Sequence, residues 1–154
     1  MATSLYHWEA KSAELPSSGA PTGPTQTHGT NFSYKTLSFA LNSKCTFHGK
    51  VPTNYGGGTV QVVLDAVIPA GVSGSWTWGV KLLGRLDNET FDAALGTQVT
   101  QADTVGTTGR LHQTLVTITG PALTVGDALI LEVQLTASPT GGNPLLYGVE
   151  IQEA

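Results

Sequence analysis

From residue 34 onward, apolar and polar residues alternate with a period of two. The alternation recurs in eight short stretches: residues 34–41, 45–51, 60–67, 75–83, 97–100, 110–119, 129–136 and 145–151. Successive side chains of a strand point to opposite faces of a sheet, so this period with one apolar face is typical of a half-buried strand. Glycine-rich turns separate the stretches, and no apolar stripe has the helical period. The pattern predicts an all-β, antiparallel jelly roll or β-sandwich of about eight strands.

The first 33 residues follow a different pattern. Residues 17–31 (SSGAPTGPTQTHGTN) are dense in Gly, Pro, Ser and Thr, which disfavour a helix or a central strand. We therefore expect an extended N-terminal arm or linker, residues 1–33, followed by a jelly-roll domain, residues 34–154. Tyr6, His7 and Trp8 stand together in this arm, and large aromatic side chains usually bury. They either fold back onto the domain's own sheet or bind a neighbouring subunit.

Composition and charge narrow the range of partners. Only 12% of the residues are charged, about half the usual share, which indicates a surface partly covered by a partner or by sister subunits. The net charge is −4 and no run of Lys or Arg occurs, so we expect no binding of nucleic acid. The first residues lack the basic start and apolar segment typical of a signal peptide, so we expect none, and no apolar run approaches the ~20 residues of a membrane span. We therefore expect a soluble protein made in a cytoplasm, with no membrane partner.

Two features could carry chemistry but favour a structural interpretation. Trp76 and Trp78 could stack on sugar rings, but they share a predicted strand face with Val80 and Leu82, which favours core packing. The single cysteine, Cys45, lies in an alternating stretch without the partners of a catalytic thiol, so packing is again favoured.

Other patterns of catalytic or metal-binding chemistry are weak. Asp87, Glu89 and Asp92 could offer oxygens to calcium, but their spacing favours a solvated turn. The four histidines are scattered, which predicts no zinc site. The chain has no nucleophile elbow, phosphate loop or dinucleotide motif, although sequence alone leaves open a carboxylate pair from two loops. We expect a protein that is not an enzyme and has no cofactor.

Several pieces of the chain, taken in order, resemble one family. They are YKTLSFAL, FHGKVPTNYGGGTVQVVLDAV, SGSWTWGVKLLGRLDNETFD, GRLHQTLVTITG, LTVGDALILEVQLTA and LLYGVEIQE, and together they span residues 34–153. This series is similar to the small jelly-roll virion proteins of tailed bacteriophages. The matching positions are Pro52, Tyr55, Gly57, Trp78, Phe91, Gly126, Asp127, Leu129, Leu131, Val133, Val149, Glu150 and Ile151. The chain departs from the family in two places: it has Asn42-Ser43-Lys44 where the family often has acidic residues, and Thr136-Ala137-Ser138 where the family often has an Arg-Asp dipeptide.

The resemblance implies a structural protein of the virion. The main role it implies is that of a capsid decoration (cement) protein on the surface of the virion head. Such a protein is made in the host cytoplasm and binds the major capsid protein of the finished head as a homotrimer. The arm would then reach a neighbour through the partner-binding residues Tyr6, His7 and Trp8. The alternative is a receptor- or carbohydrate-binding domain of a phage tail fibre or tip, with its site among residues 87–109 or 138–144. An enzyme such as a glycan depolymerase ranks last.

Overall fold

Two antiparallel sheets face each other in the computed structural model, which describes residues 1–154. The strands are β1 (Thr3–Glu9), β2 (Thr22–His28), β3 (Ser33–Ser38), β4 (Lys44–Lys50), β5 (Val60–Val67), β6 (Ser75–Arg85), β7 (Val99–Thr104), β8 (Leu111–Ile118), β9 (Ala128–Ala137) and β10 (Leu145–Glu153). One short 3₁₀ turn, Ala10–Ser12, follows β1. Each of the eight stretches of alternating sequence overlaps a strand, although β3 ends at Ser38 and β7 covers Val99–Thr104, beyond the predicted residues 97–100.

The order of the strands is that of a jelly roll. One sheet runs β2-β3-β10-β5-β8, with β1 also paired to β10, and the other runs β4-β9-β6-β7. From β3 to β10, every connection except that between β6 and β7 carries the chain across to the opposite sheet. The prediction of an all-β antiparallel sandwich is therefore confirmed.

The first 33 residues contribute two strands to the first sheet, in addition to the eight predicted. β1 runs antiparallel to β10, from Thr3 opposite Glu153 to Glu9 opposite Gly148. β2 pairs with β3 at the sheet edge, and Pro24 lies within an irregular stretch of that pairing. An edge strand tolerates proline because one of its sides needs no hydrogen-bond donor. The sequence predicts a boundary between arm and domain at residue 33. Both strands that precede it nevertheless form backbone pairs with strands of the domain, β1 with β10 and β2 with β3.

Aromatic side chains fill the space between the sheets. Trp76 and Trp78 are fully buried, which confirms their predicted place in the core. The Trp78 ring meets Phe39 edge-on with centroids 5.1 Å apart, a favoured aromatic geometry. Cys45 is buried as well, and burial, together with the negative charge of Glu132, raises the pKa of its thiol to about 12. A thiol in that state packs as a small apolar group and is a poor nucleophile.

The acidic residues of the β6–β7 connection lie at the surface. Asp87, Glu89 and Asp92 are exposed, as a solvated turn predicts. Glu89 Oε2 accepts a hydrogen bond from the Leu86 backbone N–H at 2.9 Å and lies 3.6 Å from Arg85 Nη1. No group of three or more His, Cys, Asp or Glu side chains is placed to hold a metal ion. The molecule has no helix long and apolar enough to cross a membrane.

Candidate functional site

The aromatic residues of β1 pack against other residues of their own chain. Trp8 is only 5% exposed, its Nε1 donates to the backbone oxygen of His48 at 3.0 Å, and its ring lies 5.8 Å from Phe47 of the opposite sheet. The Tyr6 ring packs on Trp8 with centroids 4.4 Å apart. His7 is exposed. Tyr6 and Trp8 therefore fold back onto the sandwich of their own chain, which is one of the two expectations for these residues. The other, that they bind a partner, stays a prediction.

A fork in the first sheet creates the most distinctive surface feature. β5 pairs along the whole of β10 on one side, while β3 and β1 share the other side. β3 pairs with Leu145 and Leu146, and β1 pairs from Gly148 onward. A groove of about 270 Å³ opens where these two strands diverge. It is lined by Glu9, Lys11, Gln26, Ser33, Tyr34, Lys35 and Tyr147, and we call it the fork groove.

A β-bulge turns Tyr147 toward the fork groove. The pairing of β10 with β5 shifts between Leu146 and Gly148, which leaves Tyr147 as the extra residue. Leu146 and Val149 both remain buried, whereas Tyr147 is 42% exposed. An extra residue reverses the alternation locally and can re-aim a side chain, which is why bulges recur beside binding sites.

Three aromatic rings form a row beside the groove. Tyr34 and Tyr147 meet at nearly a right angle with centroids 6.4 Å apart. Phe32 continues the row, 5.9 Å from Tyr34, and is 70% exposed. Tyrosine offers an apolar face and a polar hydroxyl at the same place. Together the three rings present flat apolar surface beside the polar groups of the groove.

Charged and amide groups surround these rings. Lys11 Nζ lies 2.6 Å from Glu9 Oε2, and this hydrogen bond and attraction lower the pKa of Glu9 and raise that of Lys11. Both groups are therefore ionised near neutral pH and, being more than half exposed, can reach a ligand. Gln26 lies directly across from Lys35 in the β2–β3 pairing. The fork groove thus combines flat apolar faces with hydrogen-bond donors and acceptors.

A larger cavity, of about 660 Å³, lies between the β6–β7 and β8–β9 connections. No aromatic ring lines it. Two polar atoms of its lining, Arg85 Nε and Asp127 Oδ1, are buried without a hydrogen-bond partner. Asp127 is 4% exposed and accepts the Thr124 backbone N–H at 3.0 Å, while Arg85 pairs with Glu89. The cavity overlaps the loop region expected to hold a binding site, but it lacks the aromatic rings that line the fork groove.

Sequence reasoning did not identify the fork groove. Its lining comes from four separate strands and the 3₁₀ turn, so no local spacing reveals it. An unbroken alternation along residues 145–151 predicts that Tyr147 and Val149 share a face, and the bulge breaks that alternation. The one available signal was the nearness of two aromatic residues, Phe32 and Tyr34, at the end of the segment expected to be an arm.

Comparison with known proteins gives a likeness of fold. No protein-family model matches the chain, and no curated protein matches it. Among solved structures, CsCBM6-3 from Clostridium stercorarium in complex with cellobiose aligns with a TM-score of 0.55 and 12% identity over 97% of this chain and 95% of that one. The exo-β-1,3-galactanase of Phanerochaete chrysosporium with galactose aligns with a TM-score of 0.56 and 15% identity, over 97% of this chain.

These likenesses differ in how much of the other protein they cover. The chain spans 29% of the galactanase. It spans 23% of the isomaltodextranase of Arthrobacter globiformis complexed with panose, at a TM-score of 0.55 and 17% identity. At these identities the comparisons show a shared jelly-roll fold. In the enzymes, the fold corresponds to one part of a longer chain.

Proposed function

We propose that this protein is a non-catalytic carbohydrate-binding module, and that the fork groove is its binding site. The observation that carries the proposal is the pair of partly exposed rings, Tyr34 and Tyr147, flanked by ionised and amide side chains. A binding site for a small polar molecule combines apolar walls with a few convergent polar groups, and the fork groove has both.

The chemistry of a sugar fits this arrangement. One face of a pyranose carries mainly C–H groups, which pack against an aromatic ring, while its hydroxyls point outward and need hydrogen-bond partners. The Glu9 carboxylate accepts hydrogen bonds, the Lys11 ammonium donates them, and the Gln26 amide does both. The volume of about 270 Å³ is just below the usual range for small-molecule sites, which suits a single sugar ring. Phe32 extends the aromatic row toward a second ring.

The comparisons support this proposal at the level of fold. A module of nearly the same length, solved with cellobiose, shares the sandwich over almost the whole of both chains. A fold alone does not determine a function, so the assignment depends on the residues of the fork groove.

A glycan array with the purified chain, followed by calorimetry on the strongest ligand, tests the proposal. Tyr147→Ala should weaken binding about tenfold, because stacking on one aromatic ring contributes ~1–3 kcal/mol for nucleic-acid bases. Tyr147→Phe, which keeps the ring, should retain most of the affinity. Leu86→Ala, in the larger cavity, is the matched control and should bind normally. Binding to no glycan, or a loss with Leu86→Ala but not with Tyr147→Ala, would contradict the proposal.

Capsid decoration is a second candidate, favoured by a different surface. On the edge strand β8, Leu111 and Leu115 are about half exposed and lie opposite Val67 and Val63 of β5. Together with the low charge of the chain, this apolar strip suits a covered surface, as the resemblance to phage virion proteins implies.

Light scattering of the purified chain tests this second candidate. We expect a trimer that Leu111→Glu with Leu115→Glu converts to a monomer, whereas Thr100→Glu, at an exposed position on β7 of the other sheet, should leave the trimer intact. A monomeric wild-type chain would remove the basis for the trimer. Electron microscopy of virions carrying the protein would then show whether it lies on the head surface or at the tail tip.

A further inference from the structure

The fork groove has a charge opposite to that of the chain. Its lining includes two lysines, Lys11 and Lys35, and one carboxylate, Glu9, while the whole chain has a net charge of −4. Lys11 is paired with Glu9 at 2.6 Å, but Lys35 has no carboxylate within 4 Å. The ammonium of Lys35 is therefore the unneutralised charge of the groove.

We propose that the fork groove selects an acidic saccharide, one whose sugar ring carries a carboxylate, as in a hexuronic acid. This inference rests on the proposed carbohydrate-binding function and names its ligand class. Tyr34 and Tyr147 hold the sugar ring, and the ammonium of Lys35 pairs with the carboxylate of the sugar.

The neighbours of Lys35 suit this role. Gln26 is its direct cross-strand partner on β2, and directly opposed side chains of an antiparallel pair share a face. An amide N–H beside an ammonium gives two donors for the two oxygens of one carboxylate. Tyr34, the preceding residue on β3, projects from the other face of the strand, and both residues line the groove where β3 and β1 diverge. Glu9 does not repel such a ligand strongly, because Lys11 neutralises it.

The experiment uses two matched pairs of ligands. Trigalacturonate is compared with α-1,4-linked galactotriose, and cellotriuronate with cellotriose, since the members of each pair then differ only in the carboxylate at C6. The full chain and its Lys35→Gln, Lys35→Arg and Tyr147→Ala variants are titrated by calorimetry at low and at high salt. Lys50→Gln is the control, because Lys50 is an exposed lysine at the end of β4, outside the groove.

We expect the acidic member of a pair to bind more tightly than the neutral one, and added salt to reduce the difference. Lys35→Gln should weaken binding of the acidic ligand about two- to fivefold, the range of a partly exposed ion pair, and leave the neutral ligand unchanged. Lys35→Arg should retain the preference, and Lys50→Gln should have no effect.

The experiment distinguishes a failure of the proposed acidic specificity from a failure of the proposed carbohydrate-binding function. If neutral trisaccharides bind as tightly as acidic ones and Tyr147→Ala still weakens binding about tenfold, the acidic specificity is wrong and the carbohydrate-binding function stands. If the preference for acidic ligands survives Lys35→Gln, the assignment to Lys35 is wrong. If neither these trisaccharides nor any glycan on the array binds, both proposals are overturned.

Discussion

Leu146 and Val149 both face the core although they lie three positions apart along β10. In a regular strand, residues three apart point to opposite faces. Their partners on β5, Ala66 and Leu64, are two apart, so the bulge at Tyr147 absorbs the difference. The extra residue allows β10 to bury both apolar side chains and still present a tyrosine to the fork groove.

This relationship predicts that Tyr147 contributes to binding and little to stability. Because Tyr147 is 42% exposed, Tyr147→Ala should change the free energy of unfolding by less than about 1 kcal/mol. Leu146→Ala, one residue away and fully buried, should cost about 2–5 kcal/mol. Urea denaturation followed by tryptophan fluorescence measures both. Equal losses for the two variants would show that Tyr147 belongs to the core.

The sequence predicts the strands of the sandwich well because their apolar faces are regular. The fork groove is different, since it depends on a bulge and on pairing between distant segments. In β10 an unbroken alternation places Tyr147 with Val149, and nothing local in the residues marks the bulge. β2 (TGPTQTH) has no apolar face at all, because it lies at a sheet edge and packs little against the core. Its pairing with β3 is set by the fold as a whole.

The packing of β1 on the opposite sheet depends on a glycine. A Cβ at Gly49 of β4 would lie 2.9 Å from Tyr6 Cζ and 3.2 Å from Trp8 Cζ2. Gly49→Ala should therefore displace both rings and cost about 1–3 kcal/mol of stability. Trp8→Ala should cost about 3–5 kcal/mol, since it removes a buried indole that bridges to Phe47.

Thermal unfolding of these variants checks the role of β1 in the fold. The exposed neighbour His7 supplies the control, and His7→Ala should leave the melting temperature nearly unchanged. If Trp8→Ala melts like the wild type, β1 is a dispensable arm after all, available to a neighbouring subunit.

The buried thiol of Cys45 predicts a loss of stability at alkaline pH. Its pKa is about 12 in the folded protein against an ordinary value of 9.0, so between these values the folded state keeps a proton that the unfolded state releases. Unfolding then releases a proton, and the contribution of Cys45 declines as pH rises from about 9 to 12. Below pH 9 both states are protonated and the contribution is fully present.

Comparison with a variant isolates this effect. Over pH 9–11 the wild type should lose about 1.4 kcal/mol of unfolding free energy per pH unit more than Cys45→Ala, as measured by urea denaturation. At pH 8 the native thiol should react with a disulfide reagent only as fast as the protein unfolds. Parallel pH profiles for the two proteins would mean that the thiol is accessible in the folded state.

The end of the last strand, β10, is hydrogen-bonded to the glycine-rich turn that precedes β5. Glu153 accepts hydrogen bonds from the backbone N–H groups of Gly56 and Gly58, at 2.8 and 2.7 Å. The Tyr55 hydroxyl donates to the Gly58 carbonyl at 3.0 Å, and burial, followed by the charge of Glu153, raises the pKa of Tyr55. One carboxylate thus holds the turn and perturbs the tyrosine within it.

Glu153→Ala should destabilise the protein by about 1.5–3 kcal/mol, because both hydrogen bonds are to a charged group. It should also lower the pKa of Tyr55 toward its ordinary value, without reaching it, since burial is the larger cause. Ultraviolet titration of tyrosinate measures the second effect and urea denaturation the first. Glu150→Ala, on the same strand but without an ion pair, should change neither. A Tyr55 pKa that is unmoved by Glu153→Ala would show that burial alone accounts for the shift, whereas a stability equal to that of the wild type would show that the turn is held without the carboxylate.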